Sequence, residues 1–126
     1  MVGDGWMRGE IEVFEEHLYT ECMSGLLRHA IGGMKALLAE SMAIFAPNAN
    51  SYRRFKANSY APVAATWGVN NRTVSLRIPA GPAPTRHVEH RVAGADGNPY
   101  LVMAVLLASA HYGLTQNLDP GPAVVG

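Results

Sequence analysis

Apolar residues recur at helical spacing from Ser24 to Phe45: Leu26, Ile31, Met34, Leu38, Met42 and Phe45 fall on one side of a 3.6-residue repeat. Ser24 stands where an N-cap is expected, and Pro47 sets the end, because the residue before a proline resists helical dihedrals. The Gly32-Gly33 pair costs roughly 1 kcal/mol per glycine in helix propensity, so it predicts either a break between two helices or a close approach of another backbone. Residues 61–69, "APVAATWGV", have the short apolar character of a strand. Asn70-Asn71 supplies a turn, since asparagine tolerates positive φ. The segment "RTVSLRI" is then expected to return antiparallel, with Val74, Leu76 and Ile78 on one face and Thr73, Ser75 and Arg77 on the other.

After the proline-glycine connection "AGPAPT", the stretch "RHVEHRV" alternates again and puts His87, Glu89 and Arg91 on one face. Neighbours on such a face stand about 7 Å apart, close enough for Glu89 and Arg91 to grip one ligand. The last helix is expected to start from Asn98 as cap and Pro99 at its first position, and to stop near Gly113. From Leu101 to Ala110 it is apolar on nearly every side, which predicts burial all round. The tail, residues 116–126, is turn-rich and expected to fray. The class is α+β: N-terminal helices, antiparallel strands and a buried C-terminal helix. With 126 residues, 48% of them hydrophobic, the chain has room for one domain.

Zero net charge hides a sorting of charge along the chain. Residues 1–22 form an acidic segment with Asp4, Glu10, Glu12, Glu15, Glu16 and Glu21 against Arg8 alone. From 41 to 95 the chain holds Arg53, Arg54, Lys56, Arg72, Arg77, Arg86 and Arg91 against Glu89 alone. The guanidinium fork favours bidentate contact with carboxylate or phosphate, so an anion site is the first functional expectation, with a solvated basic face as its bland counterpart. Glu89 in a field of arginines suits a metal ligand and a structural ion pair equally well. Magnesium with a nucleotide is the natural guess, because that ion takes one or two carboxylates plus phosphates. His87 and His90 have opposite strand parity and no metal spacing, which favours structural or surface roles; His17, His29 and His111 have no partner motif and are read as structural. Ser24, Ser51 and Ser75 lack a nucleophile-elbow context, and no glycine-rich phosphate loop is present. The lone Cys22 excludes an internal disulfide and favours a cytoplasmic setting. The longest apolar run falls short of the ~20 residues that span a bilayer, and no secretory signal opens the chain.

Several phrases taken together resemble the glutamine synthetase family: "GLLRHAIGG", "PNANSYRRF", "APVAATWGVNNRTVSLRIP", "VEHRV" and "NPYLVMAVLLASAHYGL". They keep the family's order and spacing over residues 23–115, which on this resemblance are part of the catalytic domain, with strands from an incomplete barrel. Within the family, "FKANSYAPVAATWGVNNRTVSLRIP" and "EHRVAGADGNPYL" are more similar to γ-glutamylpolyamine or γ-glutamylputrescine synthetases than to the ammonia-using enzymes. The resemblance implies an ATP-dependent glutamate–amine ligase in which ATP phosphorylates the γ-carboxylate and an amine displaces phosphate.

The same resemblance implies roles residue by residue. Arg54 and Arg91 would bind the substrate glutamate. Arg72 and Arg77 would embrace the ATP phosphates and the phosphoryl group in transit, as the catalytic arginines. Glu89 would hold Mg2+ or Mn2+. Tyr60 stands where ammonia-using members carry a flap glutamate, which favours a larger amine, a polyamine, over ammonia as the acceptor. His87 replaces an arginine found in many relatives, with Arg86 beside it. The family's N-terminal domain, metal-binding glutamates and histidine motif have no match in residues 1–22, and family members build each site between subunits of a homo-oligomer. The expectation is therefore a cut fragment or a broken reading frame, inactive alone. Two other classes compete: a small basic module binding a polyanion through Arg53, Arg54, Arg72 and Arg77, and a purely structural fragment. Few stacking aromatics stand among these arginines, so a nucleic acid is not the expected partner, and the short apolar run makes a membrane an unexpected one too.

Overall fold

The computed structural model describes residues 13–57, 59–82 and 85–126, with side chains from His17 onward; Asp4, Glu10, Glu12, Glu15 and Glu16 of the acidic segment lie outside that description. Helix α1 spans Val13–Ala36 and passes straight through Ser24, so the expected N-cap is an interior residue. The reason is local: residues 13–23 contain neither glycine nor proline, and a serine's capping preference acts only where the chain has cause to leave the helix. Ser24 instead accepts a hydrogen bond from Arg86 Nη1 at 3.3 Å.

The glycine pair does not break α1. Of the two readings it allowed, close approach is the one realised. A Cβ on Gly33 would lie 2.0 Å from the Ser109 carbonyl oxygen and 2.5 Å from Gly113 N, while one on Gly32 would meet the Leu118 oxygen at 2.5 Å. Gly33 thus lets α1 touch the backbone of the last helix, α3, Pro99–Thr115, and Gly32 lets it touch the backbone just beyond that helix. Between α1 and α3, residues 37–41 turn and the single-turn helix α2, Met42–Phe45, stops before Pro47 as expected. Leu38, Phe45 and Val92 are the centre of the core, with Ile44, Phe55, Val102 and Leu106 packed against them.

Three short strands form one sheet in the order β1 (Trp67–Val69), β2 (Leu76–Ile78), β3 (Glu89–His90). β2 and β3 are antiparallel, with Leu76 opposite His90 and Arg77 opposite Glu89. β1 and β2 are parallel, however, with Trp67 opposite Leu76 and Val69 opposite Ile78, where a hairpin was expected. Asn70 does turn the chain, at φ 52°. A second reversal over residues 71–75 then restores the original direction. Asn71, buried, holds that loop: its Oδ1 accepts from Thr73 N at 2.8 Å and Thr73 Oγ1 at 2.7 Å, and its Nδ2 donates to the Val124 carbonyl at 3.2 Å.

The tail is tethered instead of frayed. Trp67 Nε1 donates to the Gly121 carbonyl at 3.0 Å, Val124 N to the Trp67 carbonyl at 2.8 Å, and Lys35 Nζ to the Pro120 carbonyl at 2.6 Å. Turn-forming residues signal a change of direction but not whether distant donors and acceptors will hold the segment, and here Trp67 and Lys35 do.

Asn98 caps α3 as expected, its Oδ1 accepting from Tyr100 N at 3.0 Å and Leu101 N at 3.3 Å. Asn98→Ala should cost about 1 kcal/mol in a thermal or urea unfolding experiment. The helix runs two residues past Gly113, which serves the contact with α1 and not a C-cap. It is also not buried all round: Tyr100 is 84% exposed and Leu107 64%. The α+β class stands, with these corrections of strand direction and helix burial. Among the described residues no helix is long and apolar enough to cross a membrane.

Candidate active site

The register of β2 and β3 sets the first cluster. Arg77 and Glu89 are directly opposite, so their side chains leave the sheet on the same face and meet: Arg77 Nη1 donates to Glu89 Oε1 at 3.1 Å and Oε2 at 2.9 Å. Arg77 Nη2 donates to Asn70 Oδ1 at 2.8 Å. The left-handed backbone at Asn70 presents that amide to the guanidinium, a role the sequence showed only as a turn signal. The pair is mostly withdrawn from water, with side-chain exposures of 15% for Arg77 and 36% for Glu89. His87 Nε2 stands 4.0 Å from Glu89 Oε1 at its solvent side.

Arg91, two residues on, turns to backbone carbonyls. Its Nη1 donates to the Arg72 and Val74 carbonyls and its Nη2 to the Tyr60 carbonyl at 3.1 Å. One guanidinium thus joins the loop carrying Arg72 to the segment carrying Tyr60. The side chains of Arg72 and Tyr60 themselves are exposed.

Arg54 belongs to a second cluster. It ends a six-residue 3-10 helix, Ala49–Arg54, and its Cζ sits 4.6 Å above the Phe55 ring. Its Nε and Nη2 are buried and find no hydrogen-bond acceptor among the described residues. His90 points away from Glu89, as strand alternation requires, and its ring centroid lies 4.4 Å from that of Phe45. Burial, and after it the charge of Arg54, pushes the His90 imidazole down from 6.5 to about 4. A structural or surface role was expected of His90, and its ring lies against Phe45. The candidate arginines are thus split: Arg77 with Glu89, Arg91 with the backbone of Arg72 and Tyr60, and Arg54 beside His90.

As to a metal, no group of three or more His, Cys, Asp or Glu able to hold an ion lies among the described residues. Glu89 offers one carboxylate, and Arg77 already engages both of its oxygens. The described residues therefore do not make a metal centre by themselves, and no chemical step is routed through one.

The family sequence model described as "Glutamine synthetase, catalytic domain" matches residues 6–126. The chain belongs to that family. The γ-glutamylputrescine synthetase PuuA of Escherichia coli is 55% identical to this glutamine synthetase-family chain over 103 residues, covering 82% of the chain and 22% of the relative. The γ-glutamylethanolamide synthetase GlnA4 of Streptomyces coelicolor is 41% identical over 97 residues, or 77% of the chain and 21% of the relative. A solved structure of a GmaS/ADP complex superposes with a TM-score of 0.67 at 28% identity, covering 79% of this chain and 24% of that one. The glutamine synthetase-family segment thus spans about a fifth of the length of the curated relatives it matches.

The glutamine synthetase resemblance led to the arginines but not to what holds them. Asn70, which holds the Arg77 guanidinium, was legible only as a turn residue, because small polar residues in loops carry turn and cap signals first and their long-range partners are invisible in one chain.

Proposed function

We propose that this chain carries the arginine-bearing part of the active site of an ATP-dependent glutamate–amine ligase whose acceptor is a polyamine. The observation that carries the reading is the cross-strand pairing of Arg77 with Glu89, flanked by the Arg91 bridge between the Arg72 loop and the Tyr60 segment. This arrangement places one fixed guanidinium against the carboxylate, with the Arg91 bridge bracing the loops beside it, which suits the stabilisation of phosphate charge in transfer. In the reaction, the γ-carboxylate oxygen of glutamate attacks the terminal phosphorus of ATP and ADP leaves. The amine nitrogen then attacks the γ-carbonyl carbon and phosphate departs. Arg54 and Arg91 bind glutamate, Arg72 and Arg77 hold the phosphates, and Glu89, once an oxygen is released by Arg77, would supply one ligand to Mg2+ or Mn2+ in a site completed by other residues.

Two features support a polyamine acceptor. Relatives are named for a product of putrescine, a diamine, and for an ethanolamide, both made from amines larger than ammonia. The residues just after Tyr60, namely Pro62, Val63, Ala64 and Ala65, line an apolar hollow of about 400 Å3 together with Met42 and Phe55. Such a lining favours a methylene chain over ammonium.

With ATP, magnesium, glutamate and putrescine, the chain alone should release no phosphate above background. The E. coli enzyme carrying these residues in place of its own should release phosphate with putrescine and not with ammonia. Turnover by the chain alone would overturn its expected inactivity, and an ammonia-dependent chimera would overturn the polyamine reading.

A further inference from the structure

The connection between β3 and α3 contains a carboxylate that the reaction above leaves unused. Asp96 Oδ2 accepts a hydrogen bond from Ser51 Oγ and a longer one, at 3.4 Å, from Asn48 Nδ2. Ser51 is buried, and its Oγ in turn accepts from Asn48 N at 3.0 Å, closing the N-terminal end of the 3-10 helix. We propose that Asp96 is the positioning residue for Arg54: by holding Ser51 it fixes the 3-10 helix that ends in that arginine, and so sets where the guanidinium points.

Three observations carry this. A 3-10 helix of six residues has poor internal hydrogen bonding and needs an external hold. In that helix residues three apart lie one above the other, so the carboxylate that grips Ser51 is on the side from which Arg54 projects. The electrostatics agree: hydrogen bonds from Ser51 and then Asn48 hold the Asp96 carboxyl below its usual range, and the Arg54 charge adds to them.

The third observation is Gly94. A Cβ there would lie 2.4 Å from Asp96 Oδ1, so the missing side chain is the space in which the carboxylate turns toward Ser51. Gly94 N also donates to the Phe45 carbonyl at 2.9 Å, docking the connection to the end of α2 just ahead of Asn48. The connection is thus anchored at both ends of the short link that leads into the 3-10 helix.

The consequence for catalysis rests on the reading that Arg54 and Arg91 bind glutamate. Arg91 opens the segment that Asp96 belongs to, so Asp96 would hold the two glutamate-binding arginines at a set separation.

The test reads Arg54 directly. The folded chain is treated with phenylglyoxal and modification is followed site by site by mass spectrometry. In the native sequence, Arg54, with two buried nitrogens, should react more slowly than its exposed neighbour Arg53. In Asp96→Asn and Ser51→Ala, Arg54 should become several-fold more reactive and approach Arg53, while Arg77 stays shielded in its pair with Glu89. Ser51→Thr, which keeps the hydroxyl, should restore protection. Unchanged protection of Arg54 in both variants overturns the proposal, as does a rise shared equally by Arg77, which marks general loosening. Because guanidinium reactivity needs no glutamate, the result stands whether or not Arg54 binds that substrate.

Discussion

Gly33→Ala is expected to destabilise the protein by about 2–3 kcal/mol, the range of an overpacked core, even though alanine is the better helix former. The added methyl would sit 2.0 Å from the Ser109 carbonyl oxygen and 2.5 Å from Gly113 N. Both obstacles are backbone atoms of α3, so no rotamer change relieves the contact; the helices must separate. Gly113→Ala should do the same from the other side, meeting the His29 carbonyl oxygen at 2.1 Å. The two changes force the same pair of helices apart, so the double variant should cost less than the sum of the singles. Gly25 is the control. It lies in the same helix with nothing within 4 Å of its missing Cβ, so Gly25→Ala should stabilise by up to about 1 kcal/mol. Urea unfolding of the four variants decides the matter, and a neutral Gly33→Ala would mean that α1 and α3 do not touch as described.

Acidification should weaken the fold well above the range in which carboxylates titrate. His90 is held neutral down to about 4 by burial and, secondarily, by Arg54, against 6.5 when free. Between those values the unfolded chain binds a proton that the folded chain refuses, so stability is full above about 6.5 and is lost as the pH falls toward 4. At about 1.4 kcal/mol per unit, the loss is on the order of 3 kcal/mol. Asp96 and Asp119 extend the effect downward. Their hydrogen bonds, to Ser51 and to Gly121 N first, hold both carboxyls below their ordinary 3.8, so they withdraw stability only once the pH drops below that value. His90→Phe keeps a ring against Phe45 and has no proton to gain. Urea unfolding at pH 7, 5.5 and 4.5 should show a steep decline for the native sequence and a flat line for the variant over the same window. Equal slopes would show that His90 is not the group responsible.

The elements that sequence alone revealed are those specified by neighbours. Asn98 with Pro99 marks a helix start through its own backbone geometry, and Pro47 marks a helix end the same way. The arginines and Glu89 of the candidate site were visible because the phrases around them are those of the family. The strand direction at residues 67–78 was not visible, because one turn or two reversals can follow an asparagine pair, and the choice rests on Asn71 reaching the tail at Val124.

What the sequence determined by itself is the α+β class, the boundaries set by Asn98 and Pro47, and the opposition of Arg77 and Glu89 to the other faces of their strands, since local sterics and a two-residue period settle these. The tertiary structure alone decided the parallel pairing of β1 with β2, the glycine contact between α1 and α3, and the split of Arg54 from Arg77. Each of those depends on which distant backbone comes within a few ångströms, a quantity that no stretch of neighbouring residues encodes.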